Sequence, residues 1–139
     1  MELDPSFPLE FLVAGTPVSL QSDNPRSRDQ WKARVKASSQ TTLPEGHFAT
    51  TGRGSVTLYY FPSGAMEGDI DNIVKLILDA LSQHVYVDDS QVERIVIQKF
   101  EPGSLFQFSS PSETLARALG QEKPLLYVRL SDDPFEELA

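Results

Sequence analysis

Residues 70–83, IDNIVKLILDALSQ, constrain the fold more than any other stretch of the chain. Ile73, Val74, Leu76, Ile77, Leu78, Ala80 and Leu81 make a helix here apolar around most of its circumference. One stripe is polar: Asp71, Lys75, Asp79 and Ser82, spaced four, four and three apart. A helix that apolar is buried on most sides. Its stripe needs partners, because an unpaired charge beside a core is costly. The rest of the chain must therefore wrap most of this helix and supply partners for its charges.

The flanking segments supply the wrapping. LEFLVAG (9–15) reads as a first strand, ended by Gly15 and Pro17. Polar SLQSDNPRSRD (19–29) precedes a helix over 29–40 that Ser27 or Asp29 would cap. On that helix Trp31, Val35 and Ser38 share one side, and Lys32, Arg34 and Lys36 face outward. Residues 41–54 read as loop, SVTLYYF (55–61) as a β-branched and aromatic strand, and 62–69 as a turn-rich connection. VERIVIQKF (92–100) is a further strand. SETLARALG (112–120) is a short helix capped by Ser112 and stopped by Gly120, and PLLYVRL (124–130) a last strand. The order is β-α-β-α-β-α-β. The expected fold is α+β: a single domain over residues 1–139, with a mixed sheet of about four strands and helices packed on it. Strand order stays open.

Composition narrows the chemistry. Cysteine is absent, which removes disulfides, thiolate metal sites and cysteine nucleophiles. Two histidines, His47 and His84, are too few and too isolated for a histidine-based zinc site. Any metal would be held by oxygen, as magnesium, manganese and calcium are. No apolar run is long enough to span a membrane. The acidic N-terminus lacks the basic region of a secretory signal, so a cytoplasmic protein is expected. The net charge of -8 argues against a nucleic-acid partner if taken alone. It is uneven, however. Arg26, Arg28, Lys32, Arg34 and Lys36 crowd into residues 26–36, whereas the final DDPFEELA carries four acids and no base. That acidic tail, from about residue 131, is expected to be solvated or to bind a partner.

The acids of GDIDNIVK (68–75) and VYVDDSQV (85–92) admit two readings. Asp69 is a good helix N-cap, Asp71 suits the helix dipole, and Lys75 can pair at i,i+4 with Asp71 and Asp79. Alternatively, carboxylates at the start of the helix and before the next strand converge on one or two divalent ions, with Lys75 close enough to contact a phosphate. An EF-hand is excluded, since Asp71 is followed by Asn72, Ile73 and Val74 rather than by a calcium loop.

Taken together, GDIDNIVKLILDAL and VYVDDSQVERI resemble the signature of RusA-type Holliday junction resolvases: D-x-D-N, a lysine four after the second acid, D-A-L, then D-D-x-Q-V. The match is good over residues 55–100 and looser toward the basic helix and the final strand. The resemblance implies a homodimeric endodeoxyribonuclease, dependent on Mg2+ with Mn2+ as a substitute, that cuts four-way DNA junctions symmetrically in recombination and repair. It implies that Asp69, Asp71 and Asp89 bind metal and that Lys75 is catalytic with them. Asn72, Asp79, Asp88 and Gln91 fall at supporting positions. One feature departs from the family pattern: arginines are expected just before D-x-D, and here the chain reads SGAMEGD, where Glu67 reads as a loop acid. The expected DNA contacts are therefore Arg26, Arg28, Lys32, Arg34, Lys36 and Arg53, on branched DNA. Two alternatives stand beside this: a nuclease for other branched DNA, and a non-catalytic DNA- or protein-binding module.

Overall fold

The computed structural model describes residues 5–44, 46–47 and 49–136. Its elements alternate as the sequence pattern requires: β1 (Leu9–Ala14), α1 (Pro25–Ser39), β2 (Gly54–Phe61), α2 (Val74–Leu81), β3 (Val92–Lys99), α3 (Glu113–Gly120) and β4 (Leu125–Ser131). The strands form one mixed sheet in the order β1-β4-β2-β3. β4 pairs antiparallel with both β1 and β2, so Val128 lies between Phe11 and Leu58. β3 pairs parallel with β2, with Leu58 opposite Ile97. Parallel neighbours need a crossover, and α2 is that crossover. The α+β class and the four-stranded mixed sheet expected from the sequence are what the chain forms.

Alternation along the strands builds a core on each face. Leu9, Phe11, Val13, Leu58, Val128 and Leu130 point to one side, where they meet Trp31 and Val35 of α1 and the apolar surface of α2. Phe61, Leu125 and Tyr127 point to the other and pack with Phe100 and with Leu115 and Ala118 of α3. Leu76, Ile77, Leu78, Ala80 and Leu81 are all buried, which accounts for the near-continuous apolar surface of α2. α1 lies against both α2 and β1. Gly54 opens β2 because a Cβ there would sit 2.3 Å from the Ser131 carbonyl oxygen.

Four local expectations need correction. α1 begins at Pro25, not at 29, because Asn24 is the cap: its side chain accepts a hydrogen bond from the Ser27 amide at 3.2 Å. Proline fits the first helical position, where its missing N–H is no loss. The buried stripe of α1 is Trp31, Val35 and Ser39, a strict i,i+4 row, so Ser39 and not Ser38 faces the core. The helix expected over 70–83 is a 3-10 turn, Ile70–Ile73, followed by α2, and Asp69 makes no side-chain capping bond to it. Lastly, the acidic tail is not free as far as Glu136. That carboxylate takes two hydrogen bonds from Arg129, at 3.0 and 3.1 Å, while its carbonyl oxygen accepts one from Arg94 at 2.6 Å. The final three residues, 137–139, lie outside the described residues.

Candidate active site

The loop after β2 turns into the site through Gly68, whose φ of 78° is a left-handed value that glycine adopts without strain. Asp69 follows in extended conformation, and the single 3-10 turn carries Asp71 and Asn72 into α2. The Asn72 carbonyl accepts the Leu20 amide at 2.8 Å, tying this turn to the segment before α1. Asp69 and Asp71 are exposed, and the ion pairs among the described residues involve neither.

Beyond α2 the chain makes a second 3-10 turn, Asp89–Gln91. Asp88 caps it: its carboxylate accepts the Ser90 amide at 3.0 Å, and the Gln91 side-chain oxygen accepts the Asp88 amide at 2.9 Å. This is a reciprocal capping box. Hydrogen bonds from Ser90 hold the Asp88 carboxyl below its ordinary range. The Gln91 amide group also donates to the carbonyls of Thr50 at 2.9 Å and Gly52 at 2.7 Å. Asp88 and Gln91, expected only as supporting residues, thus lock the turn that presents Asp89.

Lys75 joins the two parts. Its ammonium donates to Asp89 Oδ2 at 2.7 Å and pairs with Asp79 Oδ1 at 2.9 Å. Both carboxylates, Asp89 first, push the Lys75 pKa upward. Half-exposed pairs of this kind contribute only ~0–1 kcal/mol each, so their importance is positional. The second Asp89 oxygen, Oδ1, lies 3.3 Å from the Tyr86 hydroxyl. Tyr86 was missed by sequence reasoning. It sits in the short hydrophobic run VYV, and only its place three residues before Asp89 hints at more.

The fold brings Lys75, Asp79 and Asp89 into contact. It does not gather Asp69, Asp71 and Asp89 into a preformed cage: among the described residues no three acidic or histidine side chains stand close enough together to hold an ion. The basic residues divide similarly. Arg26 and Lys36 are exposed on α1. Arg28 is partly covered. Lys32 pairs with Asp29 at 3.6 Å, Arg34 donates to the Ala14 carbonyl at 3.2 Å, and Arg53 pairs with Glu93 at 3.1 Å.

The family model described as Endodeoxyribonuclease RusA matches residues 18–104, from the segment before α1 through both aspartate turns and β3. The chain belongs to the RusA family. Among curated proteins none matches it. The matched RusA segment contains every residue singled out above for the site and for DNA, and the family is one of endodeoxyribonucleases, hydrolases of the DNA backbone. The part of this RusA chain beyond residue 104 adds α3 and β4, which complete the sheet. No helix among the described residues is long and apolar enough to cross a membrane.

Proposed function

We propose that this chain, a single nuclease domain throughout, is a divalent-metal-dependent endonuclease that cuts four-way DNA junctions as a homodimer. The observation that carries the reading is the Lys75 ammonium set on Asp89, with Asp69 and Asp71, just before α2, making no ion pair among the described residues. The donor set is carboxylate oxygen alone, which suits a hard cation such as Mg2+ or Mn2+. Asp69, Asp71 and Asp89 would hold it. Such an ion polarises a phosphodiester and lowers the pKa of an attacking water.

The chain's own residues do the rest. Lys75 keeps Asp89 neutralised in the free protein. With DNA bound, it is freed to contact the scissile phosphate as a point charge. Asp79 holds the lysine on the helix face while it does so. The exposed cations of α1, Arg26 and Lys36, with Arg28 beside them, contact flanking phosphates, which position DNA without reading its sequence. Two such sites in a twofold dimer would cut opposite strands of a junction symmetrically.

The test is a four-way junction assay with mapped cuts, run with and without Mg2+. Asp71→Asn should abolish cleavage while junction binding and melting temperature stay near wild type. Near-normal cutting by that variant would refute the site. The pairing of Arg53 with Glu93 and of Lys32 with Asp29 favours a second reading, in which reduced cationic surface relaxes selectivity toward flaps and forks. A panel of branched substrates separates the two. Binding without cutting in either Mg2+ or Mn2+ would instead mark a non-catalytic module.

A further inference from the structure

Tyr86 is buried, and its hydroxyl reaches two acceptors: the Leu78 carbonyl of α2 at 2.8 Å and Asp89 Oδ1 at 3.3 Å. A phenol has one proton to donate, so the two acceptors share it. The backbone on either side of Tyr86 is fixed. Its own carbonyl accepts the Gln83 amide at 2.6 Å, and Thr50 bonds the flanking residues, donating to Val85 O at 2.8 Å and accepting from Val87 N at 3.3 Å. The hydroxyl is therefore a rigid point, while Asp89 Oδ2 is held by an exposed, flexible lysine.

Resting on the nuclease reading above, we propose that Tyr86 is a positioning residue for Asp89: the Tyr86 hydroxyl fixes the carboxylate's orientation when Lys75 leaves it, whether displaced by a cation or drawn to DNA. Two supports hold Asp89 in the free protein, and only one can remain once the ammonium gives way to a cation or turns to a phosphate. With the tyrosine in place, the carboxylate stays aimed with Oδ2 vacated toward an incoming cation. Without it, Asp89 rotates freely and the ion loses a pre-oriented ligand. Partners that orient metal ligands in this way contribute ~10–100-fold to metal affinity.

Tyr86→Phe keeps the buried ring. It leaves no orphaned carbonyl, since Leu78 O still accepts the Ser82 amide at 3.0 Å. Two measurements test the idea. The Mg2+ concentration for half-maximal junction cleavage should rise about tenfold, with the rate at saturating Mg2+ largely recovered. Mn2+ binding to the DNA-free protein, followed by the loss of the free-ion paramagnetic signal, should weaken in parallel. A variant that melts lower but keeps the wild-type Mg2+ dependence and Mn2+ affinity would reduce Tyr86 to a core residue and overturn the proposal. Tyr86→Met, which fills the pocket with a flexible chain, is the second variant and carries the same expectation if the phenylalanine form does not fold. Should wild-type protein bind Mn2+ but cut no DNA, the nuclease reading fails and the Mn2+ titration still decides the role of Tyr86. Absence of Mn2+ binding by the wild type overturns both.

Discussion

His84 is buried with its Nε2 2.8 Å from Ser39 Oγ. That hydroxyl spends its own proton on the Lys36 carbonyl at 2.6 Å, so the imidazole must donate to it. Burial, then the nearby His47 and Lys36, lower the His84 pKa, and the ring is neutral in the fold. In the unfolded chain a histidine titrates near ~6.5. Below that pH the unfolded state takes a proton that the folded state refuses, so stability is full above about pH 7 and falls as pH drops through ~6.5. The melting temperature should decline accordingly as the pH falls below about 6.5. His84→Gln, whose amide can still donate to Ser39, should flatten that decline. An unchanged slope in the variant would assign the effect elsewhere. The sequence gives no warning of this pair: His47 and His84 stand 37 residues apart, yet their rings meet edge to face at 4.9 Å. Lys75 shows both sides of what can be read. Its bond to Asp79 follows from i,i+4 spacing. Its bond to Asp89 crosses a helix and a turn, and no periodicity encodes it.

Boundaries of elements depend on caps, and two caps here give separate tests. Asn24→Ala removes the acceptor for the Ser27 amide at the start of α1. The expected cost is about 1 kcal/mol, read as a fall of a few degrees in melting temperature. The SDNPR stretch contained this signal, an asparagine before a proline, but the competing Ser27 and Asp29 drew the start too far along. Gln91→Ala removes one acceptor and two donors that join the Asp89 turn to Thr50 and Gly52. Net costs of about 1 kcal/mol per hydrogen bond make this the larger loss, near 2–3 kcal/mol. Amide exchange should speed at residues 88–91 while β4 stays protected. Uniform loosening of the whole sheet would show the turn to be no local unit. The alternation of strands and helices was legible because each segment carries its own period. The order β1-β4-β2-β3 was not, because β4 reaches the centre of the sheet only by antiparallel pairing on both sides, a matter of tertiary fit.

Over the whole molecule the charge of -8 opposes any approach to DNA, and the fold decides which cations can offset it. Arg129 and Arg94 are committed to Glu136 on the face of the sheet away from α1. That pairing spends Glu136 on its own sheet rather than on the helix. On the α1 side the cations left for flanking phosphates, besides Lys75 at the site, are Arg26, Arg28 and Lys36, together with Arg53 if it is released from Glu93. Two opposite effects follow. Arg26→Ala and Lys36→Ala should each weaken junction binding and reduce the slope of log K against log salt by about 0.9, one phosphate contact apiece. Glu93→Gln should strengthen binding, since it removes an acid from an over-acidic surface and frees Arg53 for a phosphate. The slope should steepen by about 0.9 as that contact forms. The affinity gain should shrink with added salt, because screened charges more than ~10 Å apart barely interact at 0.1 M. Should Glu93→Gln weaken binding instead, Arg53 is held in its working position by Glu93, and the pair serves the interface as a unit.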